Sequence, residues 1–597
     1  MQSSLVAYKG KYAKILSLDN NKFEIEIENG KILKVREKDF RFLHPQFNTP
    51  QSNLVPDLAI LLDFEGQLLN IKDLSEWLFN EYSANSSWQT FLLIEDGLYF
   101  FWQKDQIFIR PTEQVEKIQQ KRKLELKEAE SIQNCVDNLL AKTFQEQDLP
   151  LVKEIEKVAL GQNKSAKILK KIKVESTTQA AHKLLVEIGY LSLKNNPYPT
   201  RYKILPEEDI AIPVEKTISR TDLTHLKSYA IDNKGSVDAD DAISVDGEKI
   251  WIHIADIMAF MDDELIEYAG HRVSNLYLPN AIINMLPESI TQICALGINK
   301  TSNALSIGFK LDNDGSIISE IEIINSTIKV TKTTYEDVDD LLNSEFSIYQ
   351  NIATKHQQYR KNSGSFSLNL PKVDVKLSDE IVQISPQNST PSRGLVAEFM
   401  ILAGRVIAQF SIENNIAMPF VSQEKGNFDD ELLEKKDLSL SESFASIRLF
   451  KRSITSTTPL SHFGLGLDKY IRITSPLRRY LDLIAHKQLH NFINNIDILS
   501  ASQIKEYITL NNAQIGDINK ATRDSNTHYK LLYLLQNKNQ IFDATILSKR
   551  GDKRIIMIAD LAMIETIKTD NSIDEKIKIK FKSIDIFTQQ VNIEVLK

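Results

Sequence analysis

Four carboxylates crowd one short stretch of this chain. In YAIDNKGSVDADDAISVDGEKIWIHIAD (229–256), Asp232, Asp238, Asp240 and Asp241 all fall between residues 232 and 241. YAID reads as a strand ending on Asp232. AISV and KIWIHIA read as a hairpin turned by Asp246-Gly247. Carboxylates held that close repel strongly unless cations neutralise them. Hard oxygen donors select magnesium, manganese or calcium, and magnesium leaves coordination positions open for substrate phosphate oxygens. A calcium loop does not fit: counted from Asp238, positions five, six and twelve are Ala242, Ile243 and Lys249, where an EF-hand needs an oxygen ligand, Gly and Glu. A polar surface turn is the plain alternative, but the flanking strands are strongly apolar.

Two further segments carry charge in unusual places. In TSPLRRYLDLIAHKQL, Ser475 as N-cap and Pro476 as first residue predict a helix start. Arg478 and Arg479 would then occupy its first turn, where the macrodipole disfavours cations and a bound anion would offset the cost. Phosphate suits arginine, which binds it bidentately. The alternative is an arginine pair bonded to a structural carboxylate. In RGLVAEFMILAGRVIAQF, Leu395, Phe399, Leu402 and Val406 form an apolar stripe, with Glu398 on its flank. Such an acid is usually paired or lines a cleft, and the residues alone favour a structural ion pair. LGQNKS (160–165) lacks the leading Gly of a phosphate loop, and neither GxSxG nor HExxH occurs.

The elements that must position these residues belong to several domains, as 597 residues imply. Hydrophobic residues are 42% and charged residues 25%, which excludes wholesale disorder and collagen. A net charge of −8 excludes a globally basic nucleic-acid binder but not a local basic groove. Cys135 and Cys294 make neither a disulfide framework nor a zinc knuckle, so a reducing, cytoplasmic setting is expected. No signal peptide and no membrane-spanning apolar run is read.

Residues 5–45 alternate, with turns at Asn20-Asn21 and Asn29-Gly30, and predict a small antiparallel β-barrel over 1–48. A Pro- and Asn-rich linker follows at 46–56. Residues 49–130 predict a winged-helix or helix-turn-helix module: Asp73 caps LSEWLFNEY, Ser86-Ser87 opens WQTFLLIED, Gly97 stops it, and LYFFW and QIFIR pair as a hairpin. The charged helical stretch 112–146 reads as a solvated face. Residues 131–205 predict a second helical module, with Thr177-Thr178 opening QAAHKLLVEIG and Gly189 closing it. Such modules contact nucleic acid or protein, and both readings stay open. Residues 206–536 read as α+β, with strands first and then helices at 391–415, 475–495 and 502–536. Residues 537–597 alternate again and predict an OB-like barrel. In KIKIKFK, Lys576, Lys578, Lys580 and Lys582 share one face, suited either to a phosphate backbone or to plain solvation. SKRGDKR (548–554) adds a basic hairpin.

Taken together, these residues resemble the ribonuclease II/ribonuclease R family of 3′→5′ exoribonucleases. Asp232, Asp238, Asp240 and Asp241 match its D-x5-D-x-DD signature. NLYLPNAIINMLPE, VTKTTYEDV, LVAEFM and GLGLDKYIRITSPLRRYLDLIAHKQL match further blocks in order, over roughly 225–535. The resemblance implies a multidomain α+β protein with an RNB catalytic domain at 206–536, an OB-fold RNA-binding domain at 537–597, and N-terminal helix-turn-helix modules. It implies a monomer that degrades single-stranded RNA with a free 3′ end, processively and hydrolytically, to nucleoside 5′-monophosphates. The four aspartates would hold two magnesium ions, with manganese as an alternative, and Asp240 would matter most for the chemical step. Tyr335 and Glu398 would contact the terminal nucleotides and their ribose hydroxyls. Tyr277 would help set where the 3′ end sits, and Arg478 would hold the scissile phosphate. Two departures stand out: Leu368, with Phe366 nearby, replaces the usual base-stacking Phe, and FVSQEKG (420–426) lacks the common Arg. The rival readings are a non-catalytic RNA-binding scaffold on the same fold, and a duplex-DNA regulator acting through residues 50–205.

Overall fold

The structure is a computed structural model. It describes residues 3–19, 21–51, 54–59, 63–208, 210–236, 238–368, 370–435 and 437–596. Asn20 of the first expected turn and Ser52-Asn53 of the expected linker therefore lie outside the described residues. The chain forms two compact units, 1–141 and 142–597.

In the first unit the alternating segment becomes five antiparallel strands: Leu5–Tyr8, Lys11–Asp19, Lys22–Ile27, Ile32–Val35 and Arg41–His44. Val6, Ala13, Ile15, Phe23, Ile25 and Val35 point to one core. The order is fourth, third, second, first, fifth, and among the described residues the two edge strands do not pair. The expected barrel is therefore an open sheet. The short turn Glu37–Asp39 carries the chain from one edge to the other without a ladder between them.

The winged-helix pattern is present, with shifted caps. Helix Ile71–Phe79 starts at Asn70, whose side chain accepts the Asp73 N–H at 2.9 Å. Asp73 is thus capped rather than capping. Helix Ala84–Asp96 starts at Ser83, whose capping box uses Ser86, and ends at Gly97 with φ 71°. Strands Leu68–Leu69, Phe100–Gln103 and Gln106–Ile109 form the three-stranded wing. The charged stretch is one helix, Thr112–Leu140.

The second unit opens with helices Leu149–Ala159, Lys167–Lys171 and Thr178–Glu187. Thr177 caps the last of these by accepting the Ala180 N–H. A seven-stranded sheet follows, ordered Val330–Thr334, Ser228–Asp232, Asp241–Asp246, Lys249–Ala255, Ser302–Leu311, Ile318–Ile328 and Thr221–Asp222. Its period-2 alternation feeds two cores. Ile250, Ile252 and Ile254 pack with Leu395, Phe399, Leu402 and Val406 of helix Pro391–Glu413. Trp251 and Ala255 pack on the other face with Leu483 and Ile484 of helix Tyr480–Ile493 and with Ile504 and Ala521 of helix Ala501–Gln536. Helix Pro391–Glu413 is long and apolar enough to cross a membrane, but 67% of its most apolar window is buried inside the protein, as befits a core helix.

The tail forms a five-stranded antiparallel OB-like sheet, ordered Met563–Ile567, Lys553–Ile558, Ile541–Arg550, Lys576–Asp585, Gln590–Leu596. Ile577 and Ile579 are buried, while Lys576, Lys578 and Lys582 are exposed.

The core helix owes one close contact to a glycine. A Cβ on Gly404 would lie 2.2 Å from the Ile471 carbonyl oxygen and 2.3 Å from the Tyr470 ring. Gly404→Ala should therefore cost about 1–3 kcal/mol by overpacking. Gly394 in the same helix has nothing within 4 Å of its would-be Cβ, so Gly394→Ala should gain roughly 0.5–1 kcal/mol of helix propensity. Denaturant melts of the two variants check both signs.

Candidate active site

Strand pairing assembles the acidic loop at one end of the central sheet. Strand Ser228–Asp232 runs parallel to Val330–Thr334 with Asp232 opposite Thr334, so Tyr335 emerges beside Asp232. Asp241 opens the neighbouring antiparallel strand, opposite Ile254. The loop between is pinned by the Ala255 N–H to the Asp240 carbonyl at 2.7 Å and the Leu296 N–H to the Ala239 carbonyl at 2.9 Å. Ser236 Oγ lies 2.6 Å from Asp232 Oδ2 and 3.2 Å from Asp238 Oδ1, so one hydroxyl serves two carboxylates.

Asp240 is 4% exposed. Its Oδ1 accepts the Leu477 N–H at 3.2 Å, and its Oδ2 accepts Arg478 Nε at 2.5 Å. Burial raises its pKa to about 6 against the opposing pull of Arg478. Asp241 is pushed up to about 7, first by burial and then by the charges of Asp240 and Asp232, with Arg478 again opposing. The quartet is thus under-neutralised, as expected of crowded carboxylates.

Tyr277 and Tyr335 border the same space. Tyr277 is 43% exposed on strand Leu276–Leu278. Burial raises its pKa, with Arg478, Asp238 and Asp240 as charged neighbours. Its hairpin is tied down by Asn275, whose N–H donates to the Arg478 carbonyl at 3.1 Å and whose Oδ1 accepts the Met285 N–H at 2.7 Å. Tyr335 is raised to about 12 by burial and by Asp232 and Asp241, while Arg393 and Arg478 pull it down.

Two expectations are corrected. Arg478 does not sit in a helical first turn. The helix starts at Tyr480, with Arg479 at its N-cap and residues 475–479 in a turn ahead of it. Asp482 Oδ2 accepts the Ser475 N–H at 3.0 Å and Arg479 Nη2 at 2.6 Å, folding that turn back. Both arginines are therefore bonded to carboxylates, the alternative left open by the residues. Arg478 nevertheless keeps a 41% exposed side chain, and its terminal nitrogens make no hydrogen bond among the described residues. The second correction is Glu398, implied as an RNA contact. It is 3% exposed. Oε1 takes His356 Nδ1 at 2.6 Å and Arg360 Nε at 2.7 Å, and Oε2 takes Arg360 Nη2 at 2.6 Å. With both oxygens spent in the core, it holds helix Ser347–Asn362 against helix Pro391–Glu413, as the favoured residue-level reading had it.

Two basic residues near the quartet were missed. Lys332 Nζ donates to the Ser236 carbonyl at 2.8 Å. Arg393 lies 4.2 Å from the Tyr335 ring centre and donates to Asn233 Oδ1. The signal for Arg393 was legible: Thr390-Pro391 marks a helix start and puts an arginine in its first turn.

As donors the four aspartates suit a hard divalent cation, being carboxylate oxygens with unspent negative charge. Among the described residues, however, no three His, Cys, Asp or Glu side chains form a group that could hold a metal. The donors are right in kind and gathered, with Asp240 engaged by Arg478 rather than turned to a shared point.

Comparison with known proteins finds relatives in both sequence and fold. An RNB domain model matches residues 220–495, and a double HTH domain model matches residues 112–197. An uncharacterized ribonuclease of Synechocystis is 32% identical over 529 residues, covering 82% of this chain and 79% of that protein. Among solved structures, the Dss1 exoribonuclease active-site mutant from Candida glabrata shares the fold with TM-score 0.68 and 18% identity, covering 99% of this chain and 98% of that one. Mycoplasma genitalium RNase R, solved with ribose-methylated single-stranded RNA, gives TM-score 0.59 and 18% identity over 67% of this chain and 77% of that one.

Two outcomes follow from the charges. Asp241 holds its proton up to about pH 7 when folded, against an ordinary value of 3.8. Its contribution to stability is therefore present at low pH and lost as pH rises through 7. Asp241→Asn should raise the melting temperature at pH 8 in chelator by roughly 2–4 °C, a gain that fades towards pH 4. Glu398→Gln leaves Arg360 buried beside a neutral amide and should cost about 3–5 kcal/mol. A purely RNA-contacting Glu398 would leave the melt of the free protein unchanged.

Proposed function

The chain belongs to the RNB-domain family of ribonucleases II and R, and from that premise we propose that it is a hydrolytic 3′→5′ exoribonuclease. Its substrate would be single-stranded RNA with a free 3′ end, released processively as nucleoside 5′-monophosphates. The observation that carries the reading is the contact of half-exposed Arg478 with buried Asp240 inside the under-neutralised acidic loop. A scaffold needs neither the crowded charge nor an arginine with spare donors above it.

A pair of magnesium ions, or manganese, held by Asp232, Asp238, Asp240 and Asp241 would supply Lewis-acid polarisation of the phosphate and of the attacking water. The chain's own residues account for the rest. Arg478 presents its two terminal nitrogens to a phosphate and neutralises charge growing there during displacement. Its anchorage to Asp240 fixes the guanidinium before substrate arrives, so little ordering remains at the moment of reaction. Tyr277 and Tyr335 border the space where terminal nucleotides would sit, and stacking gives a sequence-tolerant grip worth roughly 1–3 kcal/mol per base. Contacts to ribose 2′-OH groups would favour RNA over DNA. The lysine face of strand Lys576–Asp585 would hold incoming backbone, with salt-sensitive affinity. We propose a monomer working in cytoplasmic RNA decay or processing.

The test is a time course of the full chain on 5′-labelled single-stranded RNA with magnesium, resolved by length, alongside nucleotide analysis of the products. The reading expects shortening from the 3′ end, mononucleotide release, arrest by EDTA, and a loss of roughly 10³-fold in Asp240→Asn. RNA bound but left intact by both proteins would establish the scaffold reading instead.

A further inference from the structure

We propose that Arg393 is a second phosphate-binding residue of this site, taking the internucleotide phosphate next to the one at Arg478, with its guanidinium stacked on Tyr335. This rests on the exoribonuclease reading above and assigns a residue to it that no matched motif contains.

The geometry is specific. Arg393 is half-buried near the start of helix Pro391–Glu413. Its guanidinium lies 4.2 Å from the Tyr335 ring centre and donates to Asn233 Oδ1, the residue after Asp232. The Tyr335 hydroxyl feels the charges of Asp232, Asp241, Arg393 and Arg478, and it is Arg393 that lies over its ring. The helix start is itself fixed, because the Ser392 N–H donates to Asp339 Oδ1 at 2.8 Å on the helix that Tyr335 opens.

The partners explain why the charge is unspent. Arg393 bonds Asn233, the neighbour of Asp232, yet among the described residues it forms no ion pair with any of the four aspartates. Its bonds go to a neutral amide and an aromatic face. Such a guanidinium is held in place without being neutralised, and it keeps donors for a planar, bidentate anion. The first turn of its helix contains no acidic residue of its own; the Asp339 carboxylate bonded to the Ser392 N–H comes from the neighbouring helix and, among the described residues, forms no ion pair with Arg393. Stacking on Tyr335 also presets the plane of the fork, which lowers the ordering cost of binding.

The test measures binding in the Asp240→Asn background, so that RNA stays intact, using a 3′-terminal single-stranded oligoribonucleotide at several salt concentrations. Arg393→Gln should weaken binding about tenfold and flatten the slope of log K against log salt by about 0.7, the value for one lost phosphate contact on a single strand. A neutral methylphosphonate at the penultimate linkage should weaken binding by the parent and change nothing further for Arg393→Gln. Arg393→Lys should restore the salt slope without the full affinity. An unchanged slope, or equal methylphosphonate penalties in both proteins, overturns the proposal and leaves Arg393 a residue that positions Tyr335. Should the protein with Asp240 intact fail to shorten RNA, the exoribonuclease reading fails separately, whatever the slopes.

Discussion

Carboxylate repulsion is the constraint around which this structure is arranged. Asp232, Asp238, Asp240 and Asp241 are brought within one loop, and the described side chains neutralise them only in part. Arg478 engages Asp240 directly, Ser236 bridges Asp232 and Asp238, and Asp241 is left with its proton held to about 7. A loop carrying that much opposed charge does not stay closed by itself. It is held by backbone bonds from Ala255 and Leu296 and by the apolar strands on either side. The folding energy of a large α+β core is what keeps a locally unfavourable cluster in place, as is common at functional sites.

The surrounding elements are recruited by contacts that all lead back to that loop. The parallel register of Asp232 with Thr334 delivers Tyr335. The turn ahead of helix Tyr480–Ile493 delivers Arg478, and Asn275 ties the Tyr277 hairpin to the backbone of that same arginine. The start of helix Pro391–Glu413 delivers Arg393 to the Tyr335 ring. The chemistry therefore draws on segments hundreds of residues apart, while the sheet they rest on is built from neighbouring strands. Glu398 shows the other use of charge in the same helix. Its buried carboxylate is bonded by Arg360 and His356 on both oxygens, so it fastens two helices from inside the core.

The cap positions show how local signals mislead. Asp73 looked like a cap because it precedes an apolar run, yet Asn70 caps and Asp73 is the capped position. Ser475-Pro476 looked like a helix start, and the chain does turn there. Asp482 then gathers the Ser475 N–H and Arg479, and regular helix begins only at Tyr480. In both cases the residue types fit a cap at more than one register, and side-chain bonds formed in the folded chain chose among them.

What the sequence determined by itself was whatever depends on pattern and composition. The alternation of KIKI, the apolar stripe of 391–415, the turns at Asn29-Gly30 and Asp246-Gly247 and the clustered aspartates survive folding, because side-chain period and charge density belong to the chain before it folds. Family motifs in their order likewise marked the acidic loop, Tyr277, Tyr335 and Arg478 as one site. Only the tertiary structure decided which charges meet. That Arg478 pairs with Asp240, that Glu398 is bonded to Arg360, and that Arg393 stacks on Tyr335 are contacts between residues remote in the chain. Spacing along a sequence carries no information about such pairs, because Coulomb and hydrogen-bond energies depend on distances of a few ångströms that packing of the whole unit sets.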